Sequence, residues 1–236
     1  MKLIGKKDNE IVFSGEIENG VANAIRRYIG HIPTVAIDEV EIIKNDSPLY
    51  DETVAHRLGL VPIVMEGITE KKIPKAKLSS KGEGMVYSGD LKGVKVAFDK
   101  IPITHLGKDQ EMEVEATLNF GIGEHHSKYS PGTMSFRNVA EITVDKEFLE
   151  GIKKILPEAE VKEKGNKIVV YDNGRKEVLD VVEGIAEMED KKAETEFKDE
   201  LVVNIESFGQ MKPEMIFKKA IGELKKNLEK VSKNLS

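Results

Sequence analysis

Cysteine and tryptophan are both missing from this 236-residue sequence, and aromatic side chains of all kinds make up only 6% of it. Without a thiol the chain has no disulfide, no thiolate zinc site, no iron–sulfur ligation and no cysteine nucleophile. Five histidines and the carboxylates are the metal ligands that remain. Long apolar runs are also missing. No segment approaches the roughly 20 residues that a membrane-spanning helix needs, and the stretch from Met1 to Lys7 lacks the apolar run of a signal peptide. The expected setting is soluble, reducing and cytoplasmic. Basic residues are outnumbered, 36 against 42 acidic, for a net charge of −6. That balance disfavours a protein that coats duplex nucleic acid, whose affinity would rest on neutralising phosphates. The sequence also has no Gly-rich loop ending in Lys-Ser or Lys-Thr, no nucleophile elbow and no dinucleotide fingerprint.

What is present is segmental patterning over a length that suits two small lobes. Leu3 to Lys6 and Ile11 to Ile17 read as a hairpin turning at Lys7-Asp8-Asn9-Glu10. Val21, Ile25, Tyr28 and Ile29 recur at helical spacing, and Pro33 lies beyond the end of that helix. Thr34 to Lys44 reads as a strand. Ser47 and Pro48 are placed as N-cap and first residue of a second helix. Asp51 and Glu52 follow in its first turn and His56 and Arg57 stand near its end, each sign where the helix dipole favours it. Gly59 is expected in the left-handed conformation that closes this helix ahead of Pro62.

Gly67 to Gly93, rich in Lys, Gly and Ser, reads as a loop or weakly ordered insert. Met112, Val114, Ala116, Leu118 and Phe120 alternate with polar residues as in a half-buried strand, and a polar, Gly-rich loop runs from Gly121 to Gly132. From Glu141 the order is strand (Ile142 to Val144), helix (Glu147 to Leu156), hairpin through Gly165-Asn166 to Tyr171, and helix (Glu177 to Met188). That βαββα order resembles most of a ferredoxin-like unit. Its candidate core is Ile142, Val144, Phe148, Ile152, Ile155, Val161, Ile168, Val170, Val178, Val182 and Ile185. Acidic Glu187 to Glu200 reads as the exit linker, Leu201 to Ser207 as a last strand, and Pro213 as the opening of a long helix. Along that helix Phe217, Ile221, Leu224, Leu228, Val231 and Leu235 alternate steps of four and three. Such a stripe needs cover, either from the protein's own sheet or from a second chain. Lys218, Lys219, Lys225, Lys226 and Lys230 read as the helix's solvated face.

The polar residues with chemical potential fall into three groups. At about 100° per residue, the first helix gathers Asn23, Arg26 and Arg27 opposite its apolar side, a donor-rich patch suited to carboxylates or phosphate. Glu52 and His56, four apart, are close enough for a hydrogen bond or a shared ion, but read more simply as a helix complementing its own dipole. Glu124, His125 and His126 would need a remote ligand to hold a metal, because adjacent extended histidines point apart.

Several stretches carry a family resemblance. Asn23-Ala24-Ile25-Arg26-Arg27, Ile32-Pro33-Thr34-Val35-Ala36-Ile37-Asp38-Glu39-Val40-Glu41, and Tyr50-Asp51-Glu52 through Ala55-His56-Arg57-Leu58-Gly59-Leu60-Val61-Pro62 resemble the D-type subunits of archaeal DNA-directed RNA polymerase. That family is related to the bacterial α subunit and the eukaryotic third-largest subunit. Ile101-Pro102-Ile103 with Leu106-Gly107, the Gly121 to Pro131 loop and Asn204-Ile205-Glu206-Ser207-Phe208-Gly209 are similar to the same family, so the likeness spans nearly the whole chain.

The resemblance implies an α+β fold with a discontinuous dimerisation domain, residues 1–44 and 198–236. An inserted, mainly-β domain would occupy 45–140 and a ferredoxin-like unit 141–197. It implies a non-catalytic assembly subunit, enzymatic only as part of a nucleotidyltransferase complex. The chain would pair with subunit L and gather the small zinc-binding subunits N and P and the large catalytic subunits, meeting DNA only through the holoenzyme and no membrane. Asn23, Arg26 and Arg27 match the family's assembly motif. Asp51, Glu52, His56 and Arg57 lie in a segment that meets neighbouring subunits, and Phe217, Ile221, Leu224, Leu228 and Val231 would pack against subunit L. Many relatives hold an iron–sulfur cluster through cysteines; this chain has none, so no cofactor is expected. Two rival readings remain open from sequence: a metal-dependent hydrolase built on Glu52, His56, His125 and His126, and a stand-alone homodimeric binding protein.

Overall fold

The computed structural model describes residues 1–235. Their elements are β1 (Lys2–Lys6), β2 (Glu10–Glu16), α1 (Asn19–Tyr28), β3 (Thr34–Asn45), α2 (Asp51–Gly59), β4 (Lys75–Lys81), β5 (Gly84–Tyr87), β6 (Pro102–Leu106), β7 (Glu111–Gly121), β8 (Gly132–Asp145), α3 (Leu149–Ile155), β9 (Glu160–Lys164), β10 (Lys167–Tyr171), α4 (Lys176–Met188), β11 (Glu194–Ser207) and α5 (Pro213–Leu235). Helices and sheets are both plentiful and do not alternate as βαβ repeats, which makes the fold α+β. Two compact units divide the chain. The first holds Met1–Lys6, Ile11–Ala22 and Ser135–Asn204; the second holds Lys7–Glu10, Asn23–Met134 and Ile205–Ser236.

A six-stranded sheet in the order β1-β2-β11-β8-β10-β9 organises the first unit. Its hairpin pairs Leu3 with Phe13 and Lys6 with Ile11, as the sequence pattern predicts. Ile142 and Val144 on β8, Ile168 and Val170 on β10, Phe148, Ile152 of α3, and Val178, Val182 and Ala186 of α4 form one buried cluster. Val161 and Ile185 pack at its margin, whereas Ile155 is exposed, because α3 ends there and turns its last side chain outward. The acidic stretch from Glu187 to Glu200 is only partly a linker: β11 already begins at Glu194. Pairing overrides composition here. The Asn138 amide donates to the Lys198 carbonyl at 2.7 Å, and the Lys198 ammonium meets Glu141 at 3.2 Å and Glu196 at 2.8 Å. Farther along the strand Leu201, Val202 and Val203 are buried in succession, so both of its faces are covered there.

In the second unit β3, β7 and β4 form an antiparallel sheet with β7 in the middle. Met112, Val114, Ala116 and Leu118 of β7 point into a core shared with Val35 and Ile37 of β3 and Val54 and Leu58 of α2. The stretch from Gly67 to Gly93 is ordered rather than loose. Ala76 and Leu78 alternate with exposed lysines and Ser79 on β4, in register with Ala116 and Val114, and Val86 and Leu91 are buried. With two apolar residues in seven, β4 carries too little hydrophobic signal to be seen without its neighbour.

Two helix boundaries also differ from the sequence pattern. Asn45, at the end of β3, occupies Ser47, whose hydroxyl donates to its side-chain oxygen at 2.7 Å, so α2 starts later, with Tyr50 as its N-cap residue. Gly59 stays helical and the chain leaves through Leu60, whose φ of −89° is right-handed. On α1, Val21 is exposed, and the buried positions are Ala22 and Ile25. The Gly121 to Gly132 loop has a steric reason for its first glycine: a Cβ at Gly121 would lie 2.5 Å from the Tyr129 ring.

Candidate partner interface

Asn23, Arg26 and Arg27 are all exposed on α1, as the helical wheel predicts. The Arg26 guanidinium donates through Nε at 3.2 Å and Nη2 at 3.0 Å to the Asn23 side-chain oxygen, which holds its fork in one orientation. Arg27 has no hydrogen-bond partner or ion pair among the described residues. An arginine pre-oriented by an amide, beside a second one with its full donor set available, is suited to carboxylates on another surface.

The long helix α5 explains what lies next to this patch. Pro213, Ile216 and Ala220 are buried, so its first turns are anchored on the second unit. The Asn227 amide donates to the Tyr28 hydroxyl at 2.5 Å, which ties the middle of α5 to the end of α1. The apolar stripe read from the sequence is offset from the anchoring residues. Phe217, Ile221 and Leu224 are half-buried, and beyond them Leu228 is 59% and Val231 51% exposed. Every residue from Lys225 to Leu235 is exposed. The protein itself therefore covers the start of the stripe and leaves its end open, an apolar helix surface of the kind that marks an interaction site.

On α2, Asp51 and Glu52 sit in the first turn and His56 and Arg57 in the last, all exposed. Two of the four are engaged within the chain: Asp51 accepts from the Asn45 amide at 2.7 Å, and Arg57 Nη1 donates to the Ile103 carbonyl at 2.8 Å. Glu52 and His56 make no hydrogen bond or ion pair with each other. His56 instead lines a cleft of about 220 Å³ with Asp38, His126 and Lys128. There Lys128 donates to the Asp38 carboxylate at 2.8 Å and the Tyr129 hydroxyl donates to it at 3.0 Å. The Lys128 hydrogen bond holds the Asp38 carboxyl below its usual range, against a smaller opposing effect of burial. Burial alone would lower the Lys128 ammonium, but Asp38 and Tyr129 together raise it.

A depressed carboxyl stabilises the fold above the ordinary carboxylate pKa, and that contribution disappears as pH falls through the folded value. Asp38→Asn is accordingly expected to flatten the acid side of the stability profile. The effect is at most about 1 kcal/mol, because the carboxylate is more than a third exposed and screened. Urea unfolding between neutral pH and the acid limb checks it, and parallel profiles for parent and variant would remove the pair from the account of stability.

Of the four residues of the hydrolase reading, His56 and His126 share a cleft, and Glu52 and His125 do not join them. His126 accepts the Lys128 backbone N–H through Nδ1, and Glu124, of the other candidate metal cluster, pairs instead with His31 at 3.2 Å. Among the described residues no group of three or more His, Asp or Glu is arranged to hold a metal ion. Sequence reasoning missed the Asp38–Lys128–Tyr129 network, in which Asp38 lies about ninety residues from the other two and meets them only when the Gly121 to Gly132 loop folds back onto β3. It also missed Arg137 and Asp172 in the first unit; the turn signature Asp172-Asn173-Gly174 was the available signal, and Asn173 and Gly174 both have positive φ.

An α+β chain with its donors gathered on one helix face and an apolar helix end left uncovered has the construction of a subunit of a larger assembly. The family described as RNA polymerase Rpb3/RpoA insert domain matches residues 16–149. DNA-directed RNA polymerase subunit Rpo3 of Methanocaldococcus jannaschii is 40% identical over 139 residues, covering 58% of this chain and 73% of the relative. The Rpo3 subunit of Methanopyrus kandleri is 30% identical over 238 residues, covering 90% and 86%, and that of Methanobrevibacter smithii is 28% identical over 267 residues, covering 98% and 96%. The chain belongs to the archaeal Rpo3 family, the D-type subunits of DNA-directed RNA polymerase.

Proposed function

We propose that the chain is a non-catalytic assembly subunit of archaeal DNA-directed RNA polymerase, pairing with subunit L to form an α-like heterodimer on which the other subunits gather. The observation that carries this reading is the uncovered end of the α5 stripe, where Leu228 and Val231 stand more than half exposed on a helix whose buried residues are confined to its first turns. An L-like helix packed along Phe217, Ile221, Leu224, Leu228 and Val231 would remove that surface from water. Residues 1–44 with 198–236 would form the dimerisation domain, 45–140 the insert and 141–197 a ferredoxin-like unit. For the last of these the strand order β11-β8-β10-β9 is supporting: numbered within the unit it is 4-1-3-2, with β10 antiparallel to both neighbours. Without cysteine that unit would hold no cluster, and the protein would carry no cofactor.

The active site of the polymerase would lie in the large subunits, and DNA would be met only through the holoenzyme, in the cytoplasm. No helix among the described residues is long and apolar enough to cross a membrane. Asn23, Arg26 and Arg27 would face a large catalytic subunit; Asp51, Glu52, His56 and Arg57 would meet neighbouring chains, the small zinc-binding subunits N and P among them. Mass spectrometry of complexes captured from the native cell tests the whole reading: an L-like chain in stoichiometric company supports it, and a homodimer or a bare monomer refutes it. Arg26→Ala with Arg27→Ala separates two of the surfaces. Pairing with L and the melting temperature are expected to stay as in the parent, while recovery of the large subunit falls about tenfold, the loss of two charge-assisted contacts. Equal recovery would take the large-subunit contact away from this helix.

A further inference from the structure

A second open surface lies on the other side of the start of α5, in the second unit. Met65, Met211 and Met215 line a groove that encloses about 650 Å³. Its walls are tied by backbone hydrogen bonds: Met65 N–H donates to the Gln210 carbonyl at 2.9 Å, and Val64 N–H donates to the Lys95 carbonyl at 2.8 Å. The Met65 sulfur is fixed by the Val35 N–H at 3.1 Å. The groove is therefore preformed, which lowers the ordering cost of filling it. Met215 is 48% exposed at its edge, and thioether side chains adapt to partners of varied shape.

Charge decides what fits. Lys95, Lys212 and Lys219 stand around this groove against Asp8 and Glu66, a local excess of one positive charge on a chain whose net charge is −6. None of the three lysines has a carboxylate partner among the described residues. Lys212 immediately precedes α5 and Lys219 follows two turns later, about 10 Å farther along the axis. Cations spread in that way match several carboxylates along a chain, whereas a fatty acid or lipid would offer one anionic head. From this groove we infer a docking site for an acidic segment of a partner protein, with one or two large apolar side chains seated among the methionines and its carboxylates at the three lysines. The surface is separate from both the arginine face of α1 and the exposed end of α5, and the inference does not depend on the identity of the chains proposed to cover those.

The test uses the full chain and two fluorescein-labelled synthetic peptides that share leucine and phenylalanine anchors, one with glutamates between them and the other with lysines. Fluorescence anisotropy is expected to show the glutamate peptide binding at least about tenfold more tightly, with the preference weakening as salt rises. Lys95→Glu, Lys212→Glu and Lys219→Glu together should reverse the preference, the corresponding glutamine variants should erase it, and Met215→Asp should weaken both peptides. Circular dichroism confirms that each variant is folded before it is compared. Equal binding of the two peptides overturns the inference, as does binding that none of the variants changes. A groove that takes labelled dodecanoate and neither peptide assigns it to a lipid and overturns it too. Self-association in the ultracentrifuge that these variants abolish would make a second copy the occupant, with the same consequence.

Discussion

Replacing Leu224 and Leu228 by aspartate is expected to abolish pairing with an L-like chain and to leave the isolated protein folded. The two halves of this outcome follow from where the side chains stand. Leu228 is 59% exposed and Leu224 half-buried, on a helix whose anchoring contacts come from Pro213, Ile216 and Ala220. A charge at Leu228 therefore stays in water in the free chain and adds little to the cost of folding. In a paired state both positions would lie in an apolar seam, where each leucine contributes about 1.5–3 kcal/mol of burial and each carboxylate adds a desolvation penalty. Losing two leucines and seating two charges costs at least about 4 kcal/mol, roughly a thousandfold in the dissociation constant. Size-exclusion chromatography of the co-expressed chains with native mass spectrometry reads this directly. A heterodimer that survives the double substitution would mean that α5 is covered by something else, and the assembly reading would lose its main support. Leu228→Ala alone offers a graded version, a partial loss from truncation without a buried charge.

The second large effect concerns the first unit and has no direct bearing on partners. Asp172 is fully buried at the end of β10. Its carboxylate accepts three hydrogen bonds, from Arg137 Nη1 at 2.5 Å, the Gly174 N–H at 2.8 Å and the Ala140 N–H at 3.0 Å. Asp172→Ala would leave a mostly buried guanidinium, whose Nη2 already has no partner among the described residues, facing two orphaned backbone donors. Removing one member of such a pair costs about 3–5 kcal/mol. Asp172→Asn should cost nearly as much, because the amide brings its own donors towards a site that supplies donors only. Urea unfolding followed by circular dichroism is the measurement, and a double substitution, Asp172→Leu with Arg137→Met, should recover part of the loss by removing both charges. If Asp172→Ala falls within about 1 kcal/mol of the parent, the ion pair is not what fastens the turn after β10 to β8.

The α5 stripe was legible from spacing alone, because a helix of that length repeats its apolar face often enough to be read without knowing its neighbours. The strand–helix–hairpin–helix run after Glu141 was legible for the same reason, down to eight of the nine residues of its buried cluster, Ala186 being the exception. The arginine face of α1 was visible as an arc on a wheel. Asp172 was marked only by the turn signature Asp172-Asn173-Gly174, and Arg137 carried no sign of its role. Each looks like an ordinary surface residue until β8 and β10 pair and bring positions 35 apart into contact. The Asp38–Lys128–Tyr129 network is hidden in the same way. So is β4, which reads as a lysine-rich loop because the strand it pairs with, β7, lies far along the chain.

The sequence by itself determined the chemistry that is impossible here and the faces that are available. It excluded a cysteine-ligated cluster, it set an apolar stripe on the last helix, and it carried the motifs that place the chain among the Rpo3 subunits, because composition, periodicity and motif are local properties. Only the tertiary structure decided how far along α5 the protein covers its own stripe, that Asn23 orients Arg26, which members of α2 are already spent on internal contacts, and that three lysines ring a groove of methionines. Each of those depends on side chains distant in sequence or on their precise rotamers, and burial and pairing are properties of the packed chain that no local pattern encodes.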